Sequence, residues 1–278
     1  MSAKDSALEN PFETKETSNA YDAVDEVYRK SAEGVKSILD PISMGEEANV
    51  VDLGAGTGIS SEILSAGKMK NFCLVEPSKA MLEHAYQRLG DNVLYVQASA
   101  EDMYQAFNKD VDAVYALNCV HLFPDLTKAF AGVAASLKEG GKFIFNITAP
   151  SFAFDEVSDI EKDIYQANID FYKALNEKVA NPILEKTVEL LQGNLEGKTE
   201  QMFTKDTMTQ FLEALNYKFE KMEILEIDAD IEYQKNIWRM MAKSFMDDEV
   251  QVEAMVESVK LPARMLIKQA VFVFENSN

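Results

Sequence analysis

The feature that most constrains the fold is a short apolar run that ends in three alternating glycines, VVDLGAGTG at 50–58. NVVDLG predicts a buried strand, and GISSEILSAGK, which carries Ile59, Ile63 and Leu64 at helical spacing, predicts a helix. Glycines between the two let the backbone turn sharply and let a ligand approach without meeting a Cβ atom. A strand, a glycine loop and a helix in this order are typical of a ligand-binding α/β sheet.

The same alternation continues along the chain. Further strand patterns are NFCLVEP, VLYVQA, VDAVYALNCV and KFIFNIT, and the helical patterns between them are SKAMLEHAYQRLG, AEDMYQAFN and DLTKAFAGVAASLKEGG. A leading segment, Ala20 to Leu39, also has helical spacing and stops at Asp40-Pro41. Strands that alternate with crossover helices form a parallel sheet with helices on both faces.

The alternation breaks after Pro150, where a mostly helical segment takes the place of the next strand. It resumes with a helix and a strand, followed by a second helical stretch and a last strand, QAVFVFE. We therefore predict a doubly wound, mostly parallel α/β sheet of the Rossmann-like type with a helical cap. The predicted parts are an N-terminal helical lid at 1–45, a cofactor-binding core at 46–150, a helical cap insertion at 151–204, and a C-terminal part of the core with a further cap helix segment at 205–278.

Composition excludes several classes of function. The chain has 278 residues, 47% of them hydrophobic, and its 27 Lys and Arg against 47 Asp and Glu give a net charge of −20, which repels nucleic acid and anionic membranes. Cys73 and Cys119 lie in apolar runs, as suits a reducing compartment. The N-terminal residues lack the apolar core of a signal peptide, and no run approaches the ~20 apolar residues that span a bilayer. We expect a cytoplasmic protein with no nucleic-acid or membrane partner.

The residues around the glycine loop favour a ligand without phosphate. A dinucleotide fingerprint would need a glycine at position 59, where this chain has Ile59. Asp52 just before the glycines disfavours phosphate and favours an amino group. Glu76 ends the second strand, where a carboxylate can accept both ribose hydroxyls of a nucleoside, as it also does in nicotinamide enzymes. Asp102, after the third strand, suits an adenine amino group or, equally, a helix N-cap or solvated loop.

Five segments, in this order and spacing, resemble the class I S-adenosylmethionine-dependent methyltransferases of the small-molecule type: VVDLGAGTGISSEIL, LVEPSKAMLEHA, VQASAEDM, ALNCVHLFPDLTKAF and LKEGGKFIF. The resemblance covers about Asn49 to Ile147, roughly a third of the chain. It implies a sheet of seven strands whose last strand, QAVFVFE, is antiparallel. It also implies S-adenosylmethionine as cofactor and S-adenosylhomocysteine as product.

The resemblance implies a role for each matching residue. Gly54, Gly56 and Gly58 would wrap the methionine part of the cofactor, with Asp52 near its amino group. Glu76 would hold the ribose. The remaining cofactor-binding residues that it implies are Ala55, Pro77, Met81 beside the adenine, Ala100, Glu101 and Asp102 along the adenine edge, and Asn118 at the end of the fourth strand.

Two histidines differ in their sequence contexts. His84 lies in a helical pattern among charged neighbours and is most simply a surface residue. His121 follows the fourth strand at the ligand-binding edge, where it could take a proton from a substrate hydroxyl, or instead serve packing or substrate orientation. Cys119 is better explained as a small buried hydrophobe than as a nucleophile. Two scattered histidines and two scattered cysteines supply no ligand cluster, so we expect no metal site.

The segments outside the shared motifs should select the substrate. They are rich in aromatic side chains and methionines, which form mouldable apolar pockets, although most of these side chains can equally form the cap's own core. Tyr21 and Tyr28 on the leading segment, Phe152 in the insertion, and His121 are the predicted substrate-binding residues. A small organic acceptor with an apolar body is the expected substrate.

Methyl transfer from a sulfonium is an in-line displacement, so the enzyme mainly aligns the nucleophile, carbon and sulfur in a closed pocket. We predict an S-adenosylmethionine-dependent methyltransferase acting on an oxygen nucleophile, either a hydroxyl or a carboxylate. Transfer to carbon or nitrogen is the first alternative, and a non-catalytic cofactor-binding partner or sensor is the second. A nicotinamide oxidoreductase is the third, with Ile59 as its main obstacle.

Overall fold

The computed structural model describes residues 25–39, 47–65, 71–148, 151–197, 203–243, 245–262 and 264–277. Within them, seven strands form one sheet: β1 (Asn49–Leu53), β2 (Asn71–Val75), β3 (Leu94–Val96), β4 (Val111–Ala116), β5 (Leu137–Thr148), β6 (Tyr217–Ala229) and β7 (Met265–Asn276). The strand order is β3-β2-β1-β4-β5-β7-β6. Six strands are parallel and one is antiparallel, so the predicted doubly wound Rossmann-like sheet is confirmed.

Nine helices of seven or more residues lie in the described part of the chain: α1 (Asp25–Leu39), α2 (Ile59–Ser65), α3 (Lys79–Leu89), α4 (Leu126–Ser136), α5 (Asp159–Val179), α6 (Pro182–Glu196), α7 (Lys205–Glu213), α8 (Ile231–Lys243) and α9 (Glu249–Ser258). Side-chain caps fix where several of them begin. The Ser78 hydroxyl accepts the N–H of Met81 at α3, and the Asp125 carboxylate accepts the N–H of Lys128 at α4. None of these helices is long and apolar enough to cross a membrane.

The centre of the sheet is its most buried part. In β1, Val51 pairs with Cys73 of β2 on one side and with Val114 of β4 on the other. Apolar side chains from β1, β2, β4, β5 and β7 form one core cluster, which also takes in Ala32 and Val35 of α1. Strands that are buried on both faces read as continuous apolar runs, which is why these segments stood out in the sequence.

Residue contacts divide the chain into two compact units. The first holds the described residues up to Ile147 together with Lys205–Leu225 and the residues from Ala270 onward. The second holds Thr148–Thr204 and Glu226–Gln269. The predicted division into lid, core and cap stays a prediction, because it concerns what each part does.

The second unit is mostly helical and has its own core. Phe171 of α5 stacks on Trp238 of α8 with ring centroids 4.8 Å apart and planes 7° apart. A capping box starts α5, since the Ser158 hydroxyl accepts the N–H of Glu161 while the Glu161 carboxylate accepts the N–H of Ser158. Two helices, α5 and α6, therefore make up most of the described part of the predicted insertion.

Candidate functional site

The glycine loop after β1 is closely packed at one glycine and open at another. Gly54, Gly56 and Gly58 have φ of 70°, 56° and 79°, a region that favours glycine. A Cβ atom on Gly54 would lie 2.8 Å from the sulfur of Cys119, whereas a Cβ atom on Gly56 would meet nothing within 4 Å. The loop therefore presents bare backbone to open space at Gly56.

Glu76 lies directly beside this opening. It follows β2, and its side chain is buried. Its Oε2 accepts the backbone N–H of Gly56 at 3.0 Å, and its Oε1 accepts the N–H of Ser78 at 2.9 Å. These bonds hold a carboxylate in one orientation next to the glycine loop, 20 residues away in sequence.

Asp52 is the second carboxylate near the loop, and it is buried at the end of β1. Burial raises its pKa to about 7; the hydrogen bond from the Ser61 hydroxyl, at 2.6 Å, acts in the opposite direction, and the charge of Glu76 adds to the rise. The sequence did not predict Ser61 as its partner. The Glu76 carboxylate makes this loop a poor phosphate site, because its negative charge would repel a phosphate.

The turn after β3 carries the predicted adenine-edge residues. It forms a short 3-10 helix, Ala100–Gln105, in which Ala100 and Glu101 are buried. Glu101 accepts the backbone N–H of Asp125 at 3.1 Å. Asp102 is half-exposed and bonds to the Lys128 ammonium at 3.1 Å, which lowers the pKa of Asp102. Glu101 and Asp102 thus both bond to residues at the start of α4.

The turn after β4 is held by a buried polar cluster. Asn118 has a left-handed backbone with φ of 57°, and its N–H donates to Asn146 Oδ1 at 2.6 Å. Asn146 Nδ2 donates to Asn118 Oδ1 at 3.1 Å and to the Ser31 hydroxyl at 3.2 Å. Sequence reasoning missed Ser31 and Asn146. A signal existed for Asn146, because an asparagine that follows the apolar run KFIF lies at the ligand-binding edge.

His121 lies three residues beyond Asn118, in the short 3-10 helix Val120–Leu122. It is exposed to solvent, and partial desolvation by the surrounding protein lowers the pKa of its imidazole. Cys119 is buried and its pKa is raised well above the usual value by that burial. A neutral imidazole can accept a proton, whereas a buried thiol with a raised pKa is a poor nucleophile.

The remaining predicted site residues lie in different parts of the structure. Met81 is buried on α3, Pro77 is exposed, and Tyr28 is partly buried on α1. Phe152 belongs to the second unit, where it is buried and forms an isolated β-bridge with Phe203. Tyr21 lies outside the described residues. The described residues contain no group of three His, Cys, Asp or Glu that could hold a metal ion.

Comparison with known proteins identifies the core of this sheet. Residues 51–145, from β1 to the middle of β5, match the family model described as a methyltransferase domain. These residues form a class I methyltransferase domain. The predicted resemblance is thereby confirmed, and S-adenosylmethionine is the cofactor that this domain implies.

Proteins that are similar to this methyltransferase domain carry different functional names. An uncharacterized methyltransferase of Geobacillus sp. is 30% identical over 142 residues, which cover 49% of this chain and 65% of that protein. Haemonchus contortus phosphoethanolamine N-methyltransferase 2 aligns with a TM-score of 0.59 at 14% identity, over 100% of this chain and 61% of that one. Geranyl diphosphate C-methyltransferase from Streptomyces coelicolor aligns with a TM-score of 0.50 at 14% identity, over 88% and 76%. At these identities the two structures show a shared fold.

The residues of this methyltransferase domain fit S-adenosylmethionine. The cofactor has an ammonium group, a sulfonium and a nucleoside but no phosphate, which agrees with a glycine loop that has the Glu76 carboxylate beside it and the buried Asp52 just before it. The open space at Gly56 leaves room for a ligand beside the backbone. When bound, the cofactor supplies an electrophilic methyl group on a sulfonium sulfur.

Proposed function

We propose that the protein transfers a methyl group from S-adenosylmethionine to an oxygen atom of a small organic acceptor. The observation that carries this proposal is the open glycine loop at Gly56 with the fixed Glu76 carboxylate beside it. The loop follows β1, and His121 follows the neighbouring parallel strand β4. Gly54, Gly56 and Gly58 would hold the methionine part, and Glu76 the ribose. Ala55, Pro77, Met81 and the 100–102 turn would surround the adenine.

The oxygen acceptor is supported by His121. Deprotonating a hydroxyl needs a base, and an imidazole whose pKa is lowered is ready to accept a proton at neutral pH. A carboxylate acceptor needs no base, because it is already ionised. The related structures named for N- and C-methyltransferases keep transfer to nitrogen or carbon as alternatives.

Calorimetric titration with S-adenosylhomocysteine tests the cofactor site without knowledge of the acceptor. We expect micromolar binding by the wild type and at least a tenfold loss in Glu76→Ala, because ribose contacts and loop geometry disappear together. Asp112→Ala is the matched control, since Asp112 accepts the N–H of Asn49 at the first residue of β1, away from the glycine loop. Equal binding by wild type and Glu76→Ala would reject the site.

An acceptor screen with S-adenosylmethionine, read out by mass spectrometry, would then define the acceptor atom. Mild alkali removes the methyl group from an ester and leaves methyl ethers and methylamines intact. With a hydroxyl acceptor we expect His121→Gln to lower turnover by about 100-fold or more, as for loss of a general base. With a carboxylate acceptor we expect near-wild-type turnover. A methylamine or C-methyl product would overturn the oxygen assignment.

The alternative function for the same site is to bind the cofactor without catalysing methyl transfer. It predicts S-adenosylhomocysteine binding with no methyl transfer to any acceptor in the screen. Detection of any methylated product that forms only with active protein would reject it. Predicted substrate contacts of Tyr21, Tyr28 and Phe152 stay proposals, which substitution of each by Ala would test through the KM of the acceptor.

A further inference from the structure

Helix α1 is firmly packed on the sheet. Ala32 and Val35 are fully buried in the core cluster that contains β1, β4, β5 and β7. A Cβ atom on Gly34 would lie 2.5 Å from the end of the Leu225 side chain, so the backbone of the helix lies against this side chain of β6. The face of α1 that carries these residues also carries Ser31, which is fully buried.

Ser31, Asn118 and Asn146 join three elements through side chains. Ser31 belongs to α1, Asn118 follows β4, and Asn146 lies in β5. The Ser31 hydroxyl accepts the Nδ2 groups of Asn146, at 3.2 Å, and of Asn118, at 3.4 Å. Ser31 and Asn146 have no solvent exposure, so bulk water cannot replace a hydrogen bond that is lost between them.

The cluster fixes the backbone at the edge of the cofactor site. Asn118 has a left-handed conformation, which asparagine adopts more readily than most residues, and its N–H donates a hydrogen bond to Asn146 Oδ1. The next residue, Cys119, donates its thiol to the carbonyl of Leu53 at 3.2 Å and packs against Gly54. A shift of the 118–119 turn would therefore move a side chain that lies against the glycine loop.

We propose that Ser31 and Asn146 are positioning residues that hold the 118–119 turn against the glycine loop and thereby set the affinity for the cofactor. They also couple the docking of α1 to cofactor binding, because the same hydrogen bonds fix both. This inference rests on the proposed function, because it names residues that hold the proposed cofactor site in place. By reciprocity, a ligand that stabilises the turn also stabilises α1.

Calorimetry with S-adenosylhomocysteine on four single variants tests the inference. We expect Asn146→Ala to weaken binding at least about tenfold and Ser31→Ala about threefold to tenfold. The controls are a buried asparagine and a buried serine elsewhere. Asn276→Ala removes an amide that donates to the carbonyls of Ala134 and Leu137, and Ser136→Ala removes a hydroxyl that donates to Gly132. Both controls should keep wild-type affinity even where they lower the melting temperature.

Deuterium exchange adds a readout that a purely structural role would not move. Saturating S-adenosylhomocysteine should slow exchange of the amides of α1 in the wild type, and this protection should be lost in Ser31→Ala, which is conservative enough to fold. If the wild type binds and both Ser31→Ala and Asn146→Ala bind within twofold of its affinity, this inference is overturned and the proposed function stands. Absence of binding by the wild type would overturn the proposed function and this inference together.

Discussion

Two single residues of the glycine loop show two different reasons for a glycine. Gly54 and Gly56 both need a positive φ, but only Gly54 has another side chain within contact distance of the Cβ position. At Gly54 the glycine is required for packing against Cys119. At Gly56 it leaves open the space in which we propose that the cofactor binds.

We predict that Gly54→Ala and Gly56→Ala fail in different ways. Gly54→Ala combines backbone strain with a 2.8 Å clash and should lower the free energy of unfolding by about 3 kcal/mol or more. Gly56→Ala carries the strain alone, about 1 to 2 kcal/mol, and should fold. It should nevertheless lose most of its affinity for S-adenosylhomocysteine. Urea unfolding and calorimetry on both variants measure this, and tight binding by Gly56→Ala would contradict it.

The raised pKa of Asp52 predicts that the free energy of unfolding depends on pH. Its pKa is raised from 3.8 to about 7 in the folded protein, so below pH 7 the folded state holds a proton that the unfolded state has released above about pH 4. Stability contributed by this proton is fully present below about pH 4 and is lost as pH rises to about 7. Asp52→Asn keeps an acceptor for Ser61 and carries no titrating charge.

The free energy of unfolding of Asp52→Asn should therefore rise relative to wild type between about pH 4 and pH 7, by up to ~4 kcal/mol. Urea unfolding at a series of pH values gives the difference. The control is Asp163→Asn, which changes an exposed carboxylate on α5 and should run parallel to the wild type. A difference between Asp52→Asn and wild type that does not vary with pH would show that Asp52 has no raised pKa.

At the scale of the element, the apolar runs predicted the strands because parallel strands buried on both faces leave a continuous signal. VDAVYALNCV contains β4, which ends at Ala116, and SKAMLEHAYQRLG contains α3 with Ser78 as its cap. AEDMYQAFN was less regular and forms only the short 3-10 helix at Ala100–Gln105. β5 begins at Leu137, earlier than KFIFNIT indicated, because Leu137 pairs with Val111 before a bulge.

Partners distant in sequence could not be predicted in the same way. The sequence indicated the glycine loop, Glu76 and Asn118 by their positions at strand ends. It did not indicate that Ser31 meets Asn146, 115 residues away, because that pairing depends on how α1 packs on the sheet. Local patterns specify elements and edges, whereas tertiary packing decides which side chains meet across them.

A buried ion pair in the second unit gives a prediction at this scale. Lys268 of β7 bonds to Glu161 of α5 at 2.8 Å, and their side chains are 13% and 3% exposed. Lys268→Met would leave the Glu161 carboxylate buried without its counter-charge, so we expect a loss of about 3 to 5 kcal/mol in the free energy of unfolding. The control is Arg264→Met, which breaks an exposed pair with Asp228 and should cost less than about 1 kcal/mol.

Urea unfolding of both single variants measures the difference, and Lys268→Met/Glu161→Gln completes the test. Removing the second charge takes away the unpaired carboxylate, so the double variant should recover part of the stability lost by Lys268→Met. Equal losses in Lys268→Met and Arg264→Met would mean that the Lys268 pair contributes no more than a surface pair does.

At the scale of the whole molecule, the charge is the dominant feature. The chain carries 20 more acidic than basic side chains, and folding brings these charges closer together. Their mutual repulsion destabilises the compact state. Many ion pairs oppose it, among them exposed pairs such as Lys243 with Glu249 and Lys162 with Asp159. Each exposed pair is worth ~1 kcal/mol or less, and salt screens both effects.

Because the excess charge acts over the whole surface while exposed pairs contribute little each, repulsion should outweigh attraction. We therefore expect the melting temperature to rise as salt increases from about 0.01 M to about 0.15 M, over which the screening length falls from ~30 Å to ~8 Å. Calorimetric scans in sodium chloride and in potassium chloride should agree, since screening depends on ionic strength and not on the cation. At pH 4.5, where the sequence predicts no net charge, the rise should vanish. A melting temperature that falls with salt at pH 7 would instead assign the larger effect to the ion pairs.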